Sequence, residues 1–176
     1  MGGADKGLLT FQGRPLVAHV LARLTPQVAG LLISANRNLD EYRAFGPAVL
    51  PDATDERLGP LAGLQAGLAA CPTPWLVTCP CDCPDLPTDL VARLLSAAEE
   101  QGSGTLLAVA ATTDGLQPAF QLCHRELLPR LDAYLAAGGR KLTTWCKEQD
   151  AIEVMFPDPK AFANLNSPAD LAAPAG

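Results

Sequence analysis

The residues best suited to chemistry are an acid, a lysine and a few amides, each placed where apolar or glycine-rich sequence breaks off. Asp82 closes the run Trp75-Leu-Val-Thr-Cys-Pro-Cys-Asp82-Cys-Pro-Asp-Leu-Pro87. Val, Leu and Trp there predict a buried parallel strand, and Pro84 and Pro87 stop it continuing as regular structure. Its carboxylate then stands at a strand's carboxyl edge, where open α/β sheets bind ligands, and suits Mg²⁺ held against phosphates. A capping or turn-forming role fits the same segment, and both readings stay open on these residues alone.

Lys6 is the lone cation of Gly2-Gly3-Ala4-Asp5-Lys6-Gly7. Glycines let a backbone approach a phosphate, and lysine supplies the point charge; a disordered terminus is the plainer reading. Ser34-Ala-Asn36-Arg37-Asn38 follows a second apolar run and offers hydroxyl and amide groups suited to a base or ribose, or else an ordinary polar turn. Asp52 ends a short strand, and Gly59-Pro60 opens a small-residue helix whose amino terminus could face phosphates or simply pack tightly on a sheet. Arg140 and Lys141 form the densest positive charge and suit a second phosphate-bearing ligand, against a reading as solvated surface charge. Asn164 and Asn166 precede Ser167-Pro168, a helix-start signal, with local capping as their alternative role.

The elements that position these residues alternate. Helices are expected over 16–24, 39–45, 59–70, 88–101, 125–137 and 141–149, with a last one starting at Ser167-Pro168. Strands are expected over 28–34, 48–50, 75–81, 105–111, 118–123 and 151–156. This pattern predicts one α/β domain over residues 1–176, an open, mainly parallel sheet with helices on both faces, ending in a frayed tail at 170–176.

A chain of 176 residues can bury a substantial core without staples. Its net charge of −6 and pI near 4.8 exclude the basic stripe of a nucleic-acid surface. Apolar stretches are of strand length and no signal-peptide pattern opens the chain, which predicts a cytoplasmic protein without a membrane partner. Six cysteines include Cys79, Cys81 and Cys83, which strand alternation would place on one face. Without a second C-x-x-C pair or a suitably spaced histidine they read as buried thiols in a reducing compartment, ahead of a metal or redox site.

In order, Met1-Gly-Gly-Ala-Asp-Lys-Gly, Ser-Ala-Asn-Arg, Pro-Asp, Gly-Pro-Leu-Ala-Gly-Leu, Cys-Pro-Cys-Asp-Cys-Pro-Asp-Leu-Pro, Gln-Pro-Ala-Phe and Asn-Leu-Asn-Ser-Pro resemble the molybdenum cofactor guanylyltransferase family, from Met1 to about Leu171. The resemblance implies a Rossmann-like three-layer sandwich of the nucleotide-diphospho-sugar transferase type. It implies transfer of GMP from GTP to molybdopterin-bound molybdenum with release of pyrophosphate, and molybdoenzyme apo-proteins or chaperones as recipients. It carries Lys6, Ser34, Asn36, Asp52, Gly59, Pro60 and Asp82 to the nucleotide side, with Lys6 and Asp82 catalytic and Asp82 on Mg²⁺. Arg140, Lys141, Asn164 and Asn166 fall on the molybdopterin side.

Two departures bear on this. The family's first strand and glycine-rich loop precede the Met-Gly-Gly turn, so the resemblance predicts that Met1 is internal and that upstream residues restore GTP binding. Ser34 stands where the family has an asparagine, with shorter reach. The residues leave open a related cytidylyltransferase or sugar-phosphate nucleotidyltransferase, a non-catalytic molybdopterin-binding module, and a cysteine-based metal protein.

Overall fold

The computed structural model describes residues 5–51, 59–102, 104–166 and 170–171. The region that would hold Asp52 and the helix start at Ser167-Pro168 lies outside them. A 3-10 turn, Lys6–Leu8, leads into a short antiparallel hairpin, β1 (Thr10–Phe11) and β2 (Arg14–Pro15), and then α1 (Leu16–Leu24). Pro15 caps α1, whose buried face is Leu16, Val17, Val20 and Leu24, the 3–4 spacing of an amphipathic helix. Next come β3 (Leu32–Ser34), α2 (Leu39–Arg43) and β4 (Ala48–Leu50), with β3 and β4 paired in parallel.

The larger sheet has the order β5-β7-β6-β8, built from β5 (Trp75–Thr78), β6 (Leu107–Thr112), β7 (Gly115–His124) and β8 (Ile152–Met155). β6 and β8 are parallel, whereas β7 runs antiparallel to both β5 and β6. This differs from the parallel environment expected of the Trp75 run: β6 and β7 are joined by a tight turn, which can only return the chain antiparallel. Pro118 is tolerated inside β7 because the register with β6 shifts there, from Val109↔Gln121 to Ala110↔Gln117, so that no ladder bond needs its missing N–H.

Helices cover both faces. Leu107 and Val109 of β6 pack with α3 (Pro60–Ala70), α5 (Leu128–Ala136) and α6 (Leu142–Glu148). Ala108 and Ala110, one residue out of phase, pack with α4 (Leu90–Gln101), Val20 of α1, Phe156 and Phe162. The strand's period of two thus divides the interior into two layers of core. A third, smaller cluster of Val17, Ile33 and Tyr42 joins α1, β3 and α2. No helix among the described residues is long and apolar enough to cross a membrane.

Candidate active site

β3 and β5 are not hydrogen-bonded to each other, and a cavity of about 500 Å³ opens between them. Its walls are apolar, with Leu32, Leu64 and Leu76 among them, and its polar lining includes Ser34, Asn36, Thr78 and Asp82. Gly59 and Pro60, at the amino terminus of α3, also line it. α3 approaches closely because Gly63 lacks a side chain: a Cβ there would lie 2.7 Å from Ser34 Oγ.

β5 stops at Thr78, and Cys79-Pro80-Cys81-Asp82 continues as a turn past its carboxyl end. Asp82 is 7% exposed. Its carboxylate faces Lys6, with Nζ 3.6 Å from Oδ2, and the same ammonium donates to Asn166 Oδ1 at 2.5 Å. Leu165 N donates to the Asp82 carbonyl at 2.9 Å, fixing the 164–166 segment against the acid. Three segments distant in sequence therefore meet at one cation. The capping role does not hold for Asp82: Gln27 Oε1, from beyond α1, accepts from Val91 N in the first turn of α4.

A buried carboxylate with few protein partners matches Mg²⁺, which binds through one or two acids and fills its remaining positions with water and phosphate oxygens. No group of three or more His, Cys, Asp or Glu gathers among the described residues, so the site lacks an all-protein metal cage there.

The cysteines depart from their expected arrangement. With β5 ended at Thr78, strand alternation no longer governs them: Cys79 and Cys83 join the α4 layer of core, whereas Cys81 packs beside Tyr42. Burial pushes Cys79 up to about 12 and Cys81 up to about 11, helped in Cys81 by the Asp82 charge. Cys83 is raised too, first by burial and then by Asp82. Thiols held neutral in this way are poor nucleophiles.

Lys6, Asp82 and Asn166 converge, and Ser34, Asn36, Gly59 and Pro60 share the cavity with Asp82. Asn166 stands at the same cation as the nucleotide-side residues, closer to them than the sequence division into two sides implies. Asn164 is engaged locally, accepting from the Cys83 thiol at 2.7 Å. Arg140 donates to the Leu135 carbonyl at 2.8 Å, at the end of α5, and Lys141 caps α6 just before Leu142, which lines the cavity. Sequence reasoning passed over Asp5 and Tyr42, which sit behind Lys6 and hydrogen-bond to each other. The acid directly before the lysine was the available signal.

Comparison with known proteins gives a consistent result. Residues 1–152 match the family described as MobA-like NTP transferase domain. A molybdenum cofactor guanylyltransferase of Cupriavidus taiwanensis is 50% identical over 176 residues, covering 98% of this chain and 88% of that protein. One from Ralstonia nicotianae is 47% identical over 178 residues, covering 97% and 87%. Among solved structures, molybdopterin-guanine dinucleotide biosynthesis protein A from Archaeoglobus fulgidus superposes with a TM-score of 0.71 at 18% identity, covering 96% of this chain and 88% of that one. The 2-C-methyl-D-erythritol 4-phosphate cytidylyltransferase of Thermus thermophilus gives 0.70 at 17% identity, covering 94% and 90%. At such identities the two structures establish the fold, a nucleotidyltransferase α/β sandwich.

Proposed function

This chain belongs to the MobA-like NTP transferase family, and on that premise we propose that it transfers GMP from GTP to the molybdenum cofactor and releases pyrophosphate. It is a nucleotidyltransferase, as its relatives are. We read residues 1–176 as one such domain, acting in the cytoplasm, where the free state of its cysteines is the stable one. Recipient molybdoenzymes or their chaperones are the partners this reading implies.

The observation that carries the reading is the meeting of Lys6, Asp82 and Asn166 at the edge of a cavity lined by Ser34 and Asn36. In the reaction an oxygen of the pterin's terminal phosphate attacks the α-phosphorus of GTP in line. The bond to the β-phosphate oxygen breaks, and its electron pair leaves with pyrophosphate. No protein nucleophile is required, so the protein's contribution is positioning and charge neutralisation.

Lys6 leaves its contact with Asp82 to meet the phosphates, neutralising charge that grows on the leaving group. Asp82 and Asn166 offer oxygens to hold Mg²⁺, which when bound offsets the repulsion between the two anions. Ser34 and Asn36 face the base and ribose. The amino terminus of α3 at Gly59-Pro60 faces the phosphates. Lys141 and Arg140 stand toward the acceptor, with Asn164 bracing the turn behind Asp82.

Incubating the full chain with molybdenum cofactor, Mg²⁺ and either GTP or CTP tests this. The guanine dinucleotide, identified by mass together with one pyrophosphate per turnover, is expected from GTP. Product from CTP alone would make the protein a cytidylyltransferase, and pterin binding with no product from either nucleotide would make it a binding module.

A further inference from the structure

We propose that Tyr42 is a positioning residue for Lys6, acting through Asp5. This deepens the nucleotidyltransferase reading and rests on it. Tyr42 lies on α2 and is 4% exposed, packed with Val17 and Ile33. A phenylalanine would fill that place equally well, so the hydroxyl needs a separate explanation. It donates to Asp5 Oδ1 at 2.6 Å, directly before Lys6 in the chain.

The other donors on Asp5 come from the same short segment. Asn38 Nδ2 donates to Oδ2 at 3.1 Å, and Arg37 Nε lies 3.6 Å from that oxygen. Asn38 takes a left-handed backbone, φ 52°, and caps α2, one turn before Tyr42, so the two side chains address one carboxylate. Burial, and then the bond to Asp5, push the Tyr42 phenol far above its ordinary range, so the hydroxyl stays a donor throughout the working pH.

The same hydroxyl also touches the turn itself. A Cβ on Gly7 would lie 2.5 Å from Tyr42 Oη and 3.1 Å from Cys81 Sγ. Tyr42 and the chain leading into Asp82 thus close together over one face of the Lys6–Leu8 turn, at Gly7. The turn's backbone bonds, Leu8 N to the Asp5 carbonyl and Leu9 N to the Lys6 carbonyl, begin at the anchored acid. Lys6 itself is 46% exposed at its side chain, so apart from its contacts with Asp82 and Asn166 its aim depends on the turn beneath it rather than on surrounding packing. Because α2 directly follows the Ser34–Asn38 loop, the lysine of the phosphate end is fixed to the element that carries the base-side residues.

Tyr42→Phe removes one oxygen and leaves the ring, and it is to be made in both the wild-type and the Lys6→Ala backgrounds. Acting through Lys6, it should lower kcat/KM for GTP by about tenfold in the first and by less than about twofold in the second, because coupled residues are not additive. An equal factor in both backgrounds would mean a structural role only and would overturn the proposal. Hydrogen exchange on the ligand-free chain supplies a readout that needs no turnover. The Leu8 and Leu9 amides should exchange at least about tenfold faster in Tyr42→Phe while the β6 amides keep their rates. Unchanged Leu8 and Leu9 exchange would overturn the proposal even if turnover fell. Failure of the wild-type protein to transfer GMP would instead overturn the reading of the site, and the exchange result would still decide the role of Tyr42.

Discussion

β6 and β5 belong to one sheet yet live in different surroundings. All six residues of β6 are buried, with helices on both faces and strands on both edges, whereas the four residues of β5 are only half-buried and its cavity-side edge pairs with no described strand. Around β6 the contacts are apolar, between leucines, alanines and aromatic rings. Around the ends of β5 and β3 they are polar and pairwise: Lys6 with Asp82 and Asn166, Asp5 with Tyr42, Asn38 and Arg37. Apolar burial is additive and insensitive to a ligand, whereas an ion pair can exchange one partner for a substrate. The first region therefore supplies stability, and the second keeps its charges available for phosphate.

Replacing Asp82 should affect the second region most strongly. Asp82→Asn keeps the size of the side chain and removes its charge, so GMP transfer should fall by about 10²–10³-fold, the cost of losing a preorganised electrostatic contact. The thermal midpoint should hold or rise, since a buried carboxylate no longer has to be desolvated. Pyrophosphate release and a melting curve on the same preparation check both halves. A large loss of midpoint would move Asp82 to the structural side of the comparison.

Leu94→Ala should give the opposite pattern. Leu94 is fully buried in the α4 layer beside Ala108 and Ala110, and truncation should cost about 2–5 kcal/mol of stability. Well below the midpoint, KM for GTP should stay within twofold of wild type. Urea unfolding and steady-state kinetics test the separation, and a tenfold change in KM would show that the two regions are coupled.

The α/β alternation was legible because amphipathic spacing and proline placement are local signals. β4 falls at Ala48–Leu50 as expected, and α1 begins at Leu16 behind Pro15. What escaped was non-local. Nothing within Trp75–Thr78 encodes that its hydrogen-bonded neighbour is an antiparallel strand some forty residues later, and β3 is shorter than its apolar run because Val28 to Leu31 find no partner strand among the described residues. Lys6 and Asp82 could be picked from sequence, since each is a charge set in glycine or apolar surroundings. The placement of Asn166 on Lys6 spans the length of the chain and carries no local signal. Tyr42, passed over in the sequence, is core, and only its hydroxyl gives it a further use.

Asn164 gives the smallest effect and the finest distinction. Two residues from Asn166, its side chain accepts from the buried Cys83 thiol, which burial and the neighbouring Asp82 charge keep protonated and able to donate. Asn164→Ala removes that acceptor, but the thiol retains the Phe162 carbonyl at 3.7 Å as a weaker alternative. The loss of stability should accordingly be modest, about 1 kcal/mol, with kcat/KM for GTP and for the pterin substrate unchanged within twofold. Asn166→Ala in parallel should do the reverse, lowering transfer with little change in midpoint, because its partner is the half-exposed Lys6 ammonium. A tenfold rise in the KM for the pterin substrate in Asn164→Ala would place that amide on the substrate, extending the chemical region of the molecule behind the Asp82 turn.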